Sequence, residues 1–450
     1  MTERAGPWRE LTRRQRVVLA AVLGVAATAL VCLAVGSPQP YGYVYDFYHL
    51  GVKVVYDEGR LPRADDCWVC SYPPVFYAAG WPFYALGHWS QDVLGIGNPV
   101  RVLSVLPILC GIVVVWFGAR LLTVLERRGW ELVLGVALLA SFPCLLISSY
   151  GVEADIVLAA VMVVFTYYCV RWWRYDERGI VPVVRLGALA GLAIATKYQG
   201  VAAVGAIGVL FAIKALRSSD RRRVLAMGLL CLVTALAVGG WKYADNQRRY
   251  GTPTYGNSVG ERTLYLDRYE LATVRPSALM RLWGPDPPEG TLTDQLVYRS
   301  VPTTLYAQAW TDMTFFSDPT RHGDLSMPYP ARSMARSLVA AVLLAGLVPT
   351  ALTVVGAVAT VRDRRQWPLV VVALISWAAY AWWVVGQPIW GLKTKYLLYL
   401  APVYVVWALA GLDVVSRRAG RLPGAVVTGA LWATIVIADV YVLQFALGGP

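Results

Sequence analysis

Long apolar stretches alternate with short polar connections along most of the chain. Each long stretch approaches the roughly twenty residues that a helix needs to cross the hydrocarbon core of a bilayer. The predicted spans are residues 17–35, 102–124, 132–148, 156–170, 224–240, 338–361, 369–385, 396–412 and 423–443. Two shorter stretches, 186–196 and 201–213, flank Lys197. The pattern predicts an all-α polytopic membrane protein with about eleven transmembrane helices.

Basic residues orient these helices, because short loops rich in Lys and Arg tend to stay in the cytoplasm. Alternate connections are basic, and so is the N-terminus; they contain Arg127, Arg174, Arg222, Arg364 and Arg418. These segments are therefore predicted to be cytoplasmic. The first span is expected to be a retained helix rather than a signal peptide, since residues 36–38 make a poor cleavage site.

Two connections on the opposite side, residues 36–101 and 241–337, are too long to be turns. They contain all 3 histidines and sixteen of the 28 acidic residues. Long ordered loops of this kind commonly contain functional residues. We expect a transmembrane catalytic module (1–240, including loop 36–101), a cap (241–337) and C-terminal helices (338–450), with the active site outside the cytoplasm at a bacterial plasma membrane.

Composition supports this class, with 57% apolar residues, 15% charged residues and a mean hydropathy of +0.51. A single soluble core is excluded. The net charge of +13 comes largely from the cytoplasmic anchors, so nucleic-acid binding is not predicted. The lack of a P-loop, H-E-x-x-H or G-x-S-x-G motif argues against nucleotide-driven pumps, common metalloproteases and serine hydrolases.

The first long loop predicts an amphipathic surface helix that ends at Gly59. Its apolar stripe recurs at helical spacing beside a polar stripe formed by Asp46, His49, Lys53 and Asp57. A second apolar run, residues 75–86, is interrupted by Pro82 and is expected to be re-entrant or interfacial.

Cys67 and Cys70 are interpreted as a structural disulfide, with two free thiols as the next alternative; a lone C-x-x-C is weak support for zinc or redox chemistry. The other cysteines lie in apolar helices and are expected to be small core residues.

Five further charged residues lie near the predicted outer ends of helices. Glu153 and Asp155 immediately precede a predicted span. Carboxylates in this position can cap the N-terminus of the helix. Alternatively, they can orient a sugar or hold a divalent ion together with Asp46, and the sequence favours neither interpretation. Lys197, Lys393 and Lys395 lie on the predicted outer side, where the orientation rule predicts few basic residues. They either anchor the helices at the membrane surface or bind a lipid phosphate.

The order of these features resembles the GT-C superfamily of integral-membrane glycosyltransferases. The resemblance rests on Val44-Tyr-Asp46-Phe after the first helix, Tyr72-Pro-Pro, the acids Glu153 and Asp155, and Gly-Leu-Ala-Ile-Ala-Thr-Lys-Tyr at residues 191–198. It is strongest for the branch that uses polyprenyl-phosphate sugars, such as protein O-mannosyltransferases, aminoarabinose transferases of lipid A and actinobacterial mannosyl- and arabinosyltransferases. This chain departs from the pattern, because Asp46 stands alone where an Asp-Glu pair is common.

The resemblance implies sugar transfer from a polyprenyl-phosphate donor to a hydroxyl of a glycan, glycolipid or protein of the envelope. The lipid bilayer is the other expected partner, and no nucleic acid is expected. Asp46 would act as general base, and the three lysines would stabilise the departing phosphate. Inversion at the sugar is expected, and mannose or arabinofuranose is the favoured sugar. The only cofactor considered is a divalent cation, Mg²⁺ or Mn²⁺. The residues given supporting roles are His49, Lys53, Tyr72, Tyr198 and Tyr396.

Two other classes of protein stay open at this point. A transporter or flippase of lipid-linked sugars could use the same cations, although transporters tend to show internal repeats and acids near the bilayer midplane. A non-catalytic partner in envelope assembly is the second alternative.

Overall fold

A computed structural model describes residues 11–36, 47–67, 69–177, 179–254, 276–281, 300–311, 336–385 and 393–447. Within these ranges the chain forms helices and turns, with no strand. Asp46, the predicted base, lies outside the described residues.

The first part of the chain forms twelve labelled helices in sequence. They are α1 (Arg13–Gly36), α2 (His49–Glu58), α3 (Val75–Leu94), α4 (Pro99–Leu103), α5 (Val105–Val124), α6 (Gly129–Ala140), α7 (Pro143–Ser148), α8 (Ala154–Arg174), α9 (Ile180–Thr196), α10 (Val201–Arg217), α11 (Arg221–Ala235) and α12 (Trp241–Tyr250). The later helices are α13 (Val301–Thr311), α14 (Arg336–Val361), α15 (Trp367–Val384), α16 (Ala401–Ala419) and α17 (Arg421–Leu447).

Nine helical segments of the described chain are long and apolar enough to cross a membrane. Two more apolar helices, α6 and α9, are shorter. The class predicted from the sequence, an all-α polytopic membrane protein, is confirmed. The count of eleven crossings stays a prediction, because it requires both short helices to cross as well.

The basic connections meet at one end of the helix bundle, which we call the arginine end. Ion pairs there join Arg127 to Asp413, Arg174 to Glu126, Arg171 and Arg185 to Glu177, and Lys214 to Asp176. The start of α8, the end of α9 and the start of α16 lie at the opposite end, which we call the site end. The side of the membrane that each end faces stays a prediction.

Small residues bring α9 close to α11. A Cβ added at Gly187 would overlap the backbone of Cys231, and one added at Gly191 would overlap the backbone of Ala235. Such small residues let helices pack at short range in a membrane, where helix association depends on close contact. This contact sets the position of the end of α9, where Lys197 lies.

The predicted helix in the first long loop is confirmed as α2, and Gly59 ends it in the left-handed conformation. Its position at the membrane surface stays a prediction. The structure also explains Gly51, which weakens a helix by its flexibility. A Cβ at Gly51 would overlap the ring of Tyr77 on α3. The glycine therefore allows α2 to lie against α3.

The predicted interruption at Pro82 is wrong, because α3 runs through this proline to Leu94. Proline removes one backbone hydrogen bond from a helix interior. One face of α3 is buried on both sides of Pro82, from Phe76 to Gly87, and we attribute the continuity to this packing.

Two predicted spans have different boundaries in the structure. The span 132–148 is divided at Phe142, which precedes Pro143, into α6 and α7. The span 224–240 does not end at Gly240: a π-helical turn at Leu236–Gly240 leads directly into α12, which ends at Tyr250 and is capped by Gly251. The second long connection therefore begins with about three turns of helix at the site end.

Candidate functional site

Glu153 and Asp155 lie at the first residues of α8 and are both 1% exposed. Glu153 is the N-cap residue and has extended backbone angles, but its side chain makes no capping hydrogen bond. Capping therefore does not explain this carboxylate. Both side chains instead face lysines from other parts of the chain.

Each carboxylate forms a buried ion pair. Lys197 Nζ lies 2.7 Å from Asp155 Oδ1, and Lys395 Nζ donates to Glu153 Oε2. Lys197 is 0% exposed and Lys395 is 5% exposed. A buried charge is costly unless it is paired, so each lysine offsets the carboxylate that it contacts. We call these four residues the polar cluster.

Aromatic rings surround the Lys197 ammonium. Its nitrogen lies 4.5 Å from the ring centroid of Tyr396, 5.2 Å from that of Tyr72 and 5.7 Å from that of Tyr48. These distances are within the range of cation–π attraction. The rings come from three separate segments, so Lys197 links the first long loop to the residues that precede α16.

Hydrogen bonds fix the loop that contains Tyr72. The Tyr198 hydroxyl donates to the Ser71 carbonyl at 2.7 Å, and Asn246 Nδ2 donates to the Tyr198 oxygen at 3.3 Å. Asn246 also donates to the Pro253 carbonyl at 3.2 Å. The start of α3, the end of α9 and α12 are thus held together beside the polar cluster.

The segment Thr394–Leu400 forms a 3₁₀ helix that positions Lys395. Its first residue is held by α13, because the Thr394 backbone N–H donates to Gln308 Oε1 at 2.7 Å and its hydroxyl donates to the Leu305 carbonyl at 2.7 Å. Lys393 is half-buried just before this segment, with its nitrogen 5.9 Å from the ring centroid of Tyr396.

One oxygen of the polar cluster has no partner in the described part of the chain. Asp155 Oδ2 is buried and accepts no hydrogen bond there, although Oδ1 of the same carboxylate is paired with Lys197. A buried oxygen in this state can accept a hydrogen bond from a hydroxyl group that enters the site.

Few residues of the polar stripe of α2 lie close to the polar cluster. Lys53 pairs with Asp57 one turn later, and both side chains are largely exposed, so the described contacts of Lys53 are on the surface of α2. His49 is half-buried, and its desolvation lowers the pKa to about 4. The imidazole is therefore neutral at neutral pH.

Cys67 and Cys70 form the predicted disulfide in the loop between α2 and α3. The other five cysteines form no disulfide within the described residues, and four of them are buried. The neighbouring residues Val69 and Ser71 accept hydrogen bonds from Tyr77 and Tyr198. The bridge thus closes a short loop whose backbone is tied to α3 and to the residue after Lys197.

The structure brings together Glu153, Asp155, Lys197, Lys395, Tyr72, Tyr198 and Tyr396, all of which the sequence analysis selected. Sequence reasoning missed Tyr48, which contacts Lys197, and Asn246, which contacts Tyr198. Tyr48 lay in a run of tyrosines without a distinguishing signal. The Asp245–Arg249 spacing, followed by Gly251, could have extended the helix to Asn246.

Glu153 and Asp155 do not fit a divalent cation as they stand, because each carboxylate already balances an ammonium group. The described residues also contain no group of three or more His, Cys, Asp or Glu side chains that could hold a metal ion. No step of the chemistry below is assigned to a metal.

The fold matches solved membrane proteins. An oligosaccharyltransferase from Archaeoglobus fulgidus, solved with zinc and sulfate, has a TM-score of 0.54 and 16% identity, covering 95% of this chain and 53% of its own. The oligosaccharyltransferase AglB from the same organism, solved with an inhibitory peptide and a dolichol-phosphate, has a TM-score of 0.55 and 14% identity, covering 98% and 57%. This chain thus spans about half the length of both.

ArnT from Cupriavidus metallidurans, in the apo state, has a TM-score of 0.49 and 14% identity, covering 95% of this chain and 76% of its own. No protein-family model matches the sequence, and no curated protein does. The likeness to the two oligosaccharyltransferases, at these low identities, establishes the fold alone.

Proposed function

Because the chain has the GT-C fold of these membrane glycosyltransferases, we propose that it transfers a sugar from a polyprenyl-phosphate donor to a hydroxyl acceptor. The observation that carries the proposal is the polar cluster, in which two carboxylates and two lysines are buried at one end of the helix bundle. A membrane protein seldom buries four charges unless they have a function. AglB was solved with a dolichol-phosphate, which supports a lipid-phosphate donor.

Asp46 is proposed as the general base. It precedes Tyr48 by two residues, and the Tyr48 ring lies 5.7 Å from the Lys197 nitrogen. In the proposed reaction the acceptor oxygen forms a bond to the anomeric carbon, and the bond from that carbon to the phosphate oxygen breaks. The electron pair leaves with the lipid phosphate, and the acceptor proton passes to the Asp46 carboxylate. A single displacement of this kind inverts the anomeric centre.

Glu153 and Asp155 are proposed to orient a sugar. Asp155 Oδ2 can accept a hydrogen bond from a sugar hydroxyl, while Lys197 holds the other oxygen of the carboxylate in place. Positioning of this kind lowers the barrier by keeping the reacting atoms in a productive arrangement.

The three lysines form the cationic side of the proposed site. Lys393 is half-buried and is the most exposed of them, so it is proposed to be the first of the three to contact a phosphate. Lys197 and Lys395 lie deeper and offset Asp155 and Glu153, which reduces the negative potential that a phosphate would meet. Stabilisation of the departing phosphate by these cations would lower the energy of the transition state.

Mannose and arabinofuranose are the proposed sugars, and a glycan, glycolipid or protein of a bacterial cell envelope is the proposed acceptor. The support is the sequence resemblance to the polyprenyl-phosphate-dependent branch and a composition rich in Ala, Val, Gly and Arg with few lysines. The site end is proposed to face outward, because the arginine end contains the short basic connections.

The test is the substitution Asp46→Asn in the purified full-length protein. Transfer from mannosyl- and arabinosyl-polyprenyl phosphate to envelope extracts is measured beside the unfolding temperature in detergent. We expect the rate to fall by at least about 10²-fold, a typical contribution of general-base catalysis, with unchanged unfolding. Asp57→Asn, on the exposed face of α2, is the matched control and should keep its activity. Full activity of Asp46→Asn would remove the proposed base.

A further inference from the structure

Three arginines gather at the arginine end, at the opposite end of α8 from the polar cluster. They are Arg120 of α5, Arg171 of α8 and Arg185 of α9, and we call them the arginine triplet. Arg120 Cζ lies 5.1 Å and Arg171 Cζ 5.8 Å from the ring centroid of Tyr167 on α8. Arg185 Cζ lies 3.9 Å from the ring centroid of Tyr168, the next residue. Aromatic rings of α8 thus hold cations from three helices together.

The triplet contains more positive charge than its neighbours offset. Glu177 Oε1 accepts from Arg171 Nη2 at 3.0 Å, and Glu177 Oε2 accepts from Arg185 Nη2 at 3.4 Å. Arg120 forms neither an ion pair nor a hydrogen bond with any residue that the structure describes. Three positive charges therefore face one carboxylate.

Most N–H donors of the triplet are also unused. A guanidinium group has five such donors, and Glu177 accepts from only one nitrogen of Arg171 and one of Arg185. The Nε atoms of both arginines have no acceptor within the described ranges. The two side chains are 33% and 34% exposed, so a ligand can reach their outer nitrogens. Guanidinium groups of this kind fit the oxygens of a phosphate.

An apolar groove leads from the triplet along the bundle, with one stripe of α8 as its floor. The half-exposed residues of the floor are Val161, Val164 and Tyr168, whereas the rest of α8 before Arg171 is buried. Tyr168 contacts Arg185 of α9 on one side and Phe117 of α5 on the other, with 6.4 Å between the centroids of the two aromatic rings. The stripe is therefore open between α5 and α9.

The α5 wall of the groove is exposed and apolar until it reaches the triplet. Its exposed residues recur at helical spacing and are Val105, Leu109, Ile112 and Trp116. Arg120 is the next position of this stripe. The floor from Val161 to Arg171 is about 15 Å of helix, which is half the thickness of the hydrocarbon core of a bilayer. The groove thus has the length of one leaflet, with cations at one end.

We propose that this groove binds an anionic phospholipid from the leaflet at the arginine end. The phosphate contacts Arg120 and the outer nitrogens of the other two arginines, and an acyl chain lies along Val161 and Val164. Basic pockets between transmembrane helices at headgroup level suit anionic lipid headgroups. The length of the groove suits an acyl chain, because a polyprenyl chain is much longer than one leaflet.

The site is separate from the sugar transfer proposed above, since none of its residues takes part in that reaction. It is nevertheless connected to the polar cluster through α8, which begins with Glu153 and Asp155. A phospholipid in the groove would hold α8 between α5 and α9, and so would stabilise the helix that positions the two carboxylates.

Lipid binding can be measured by native mass spectrometry on the delipidated full-length protein in a neutral detergent. The probes are phosphatidylglycerol, zwitterionic phosphatidylcholine and undecaprenyl phosphate. Arg120→Gln breaks no ion pair with a described residue, and it should weaken phosphatidylglycerol binding about tenfold, since a hydrogen bond to a charged group is lost. Arg222→Gln is the matched control, because Arg222 is exposed on α11 outside the groove. The control should bind like the parent protein.

A second variant tests the groove without changing a charge. Val164→Trp fills the floor and should also weaken phosphatidylglycerol binding. Val358→Trp is its control, because Val358 is 63% exposed on α14 and lies outside the groove. The unfolding temperature without added lipid monitors the fold of each variant, and the variant that folds like its control decides the test.

Three results would overturn the proposal. The first is phosphatidylglycerol binding by Arg120→Gln or Val164→Trp equal to that of its control. The second is equal binding of phosphatidylcholine and phosphatidylglycerol by the parent protein, which would remove the role of charge. The third is a loss of undecaprenyl phosphate binding alone in Arg120→Gln, which would assign the site to another lipid. Asp46→Asn should bind phosphatidylglycerol like the parent protein whether or not it abolishes transfer, so the failure of one proposal leaves the other intact.

Discussion

Lys197 and Asp155 form an ion pair that is removed from solvent, with 2.7 Å between Nζ and Oδ1 and side chains that are 1% and 0% exposed. The residues are 42 positions apart and join the end of α9 to the start of α8. In this pair each buried charge is offset by the other. The contact also fixes the end of α9 relative to the start of α8.

Removing one member of this pair should cost more than removing both. We expect Lys197→Met to lower the free energy of unfolding by about 3–5 kcal/mol, because Asp155 would remain buried without its counter-charge. The double variant Lys197→Met/Asp155→Leu should recover part of that loss. Denaturant unfolding in detergent measures both variants, and strictly additive losses would contradict the charge-balance explanation.

The contact of Gly51 with Tyr77 predicts a steric cost for a single methyl group. Gly51→Ala should reduce stability by about 1–3 kcal/mol, since the added Cβ would overlap the ring and force α2 away from α3. Gly24→Ala in α1 is the matched control, because no atom lies within 4 Å of its Cβ position. The control should be neutral or slightly stabilising. Equal effects of the two substitutions on the unfolding temperature would remove the packing argument.

The Cys67–Cys70 disulfide leads to two predictions, one for the free energy of unfolding and one for the compartment that contains the loop. Cys67→Ser/Cys70→Ser should lower the free energy of unfolding by about 2 kcal/mol, the entropy expected for so short a loop. If the site end faces outward, the partly exposed Cys67 in intact cells should react with a maleimide only after treatment with a reductant that does not cross the membrane. Cys70→Ser alone provides the control, because its Cys67 is a thiol without a disulfide and should react directly. Labelling of the parent protein without reductant would place the bridge in a reducing compartment.

Burial of His49 predicts a loss of stability in mild acid. Its folded-state pKa of about 4 lies below the unfolded value of 6.5, so the unfolded chain binds the extra proton first. The stability contributed by neutral His49 is fully present above pH ~6.5 and falls as the pH decreases toward ~4. The unfolding temperature of the parent protein should therefore drop more over this interval than that of His49→Gln. Parallel curves would show that another group causes the acid sensitivity.

Local sequence patterns were sufficient for the helices but not for the contacts between them. The apolar stretches predicted the membrane class, and the period of the α2 stripe with Gly59 predicted that helix and its end. The sequence also selected the two carboxylates and the lysines Lys197 and Lys395, which the structure brings together, while their role in a reaction stays a proposal. Their pairing could not be read from the sequence, because Lys395 is 242 residues from Glu153 and no local rule connects them.

Two further differences between the sequence predictions and the structure also arise from contacts that local sequence does not show. Pro82 predicted an interruption from local geometry, whereas the buried face of α3 continues through it. Lys242 lay within the segment that was interpreted as a cap, and its burial depends on the extension of the preceding helix into α12. Asp46 is the central sequence prediction, and its role stays a proposal.

The order of the polar cluster along the chain has a consequence for biosynthesis. A ribosome delivers Glu153 long before Lys395, so the emerging helices enter the membrane before this ion pair can form. Asp155 gains its lysine early, but Glu153 gains its own only when the segment before α16 has been made. Premature termination before residue 395 would thus remove the lysine that pairs with Glu153 and leave the buried polar cluster with one ion pair instead of two.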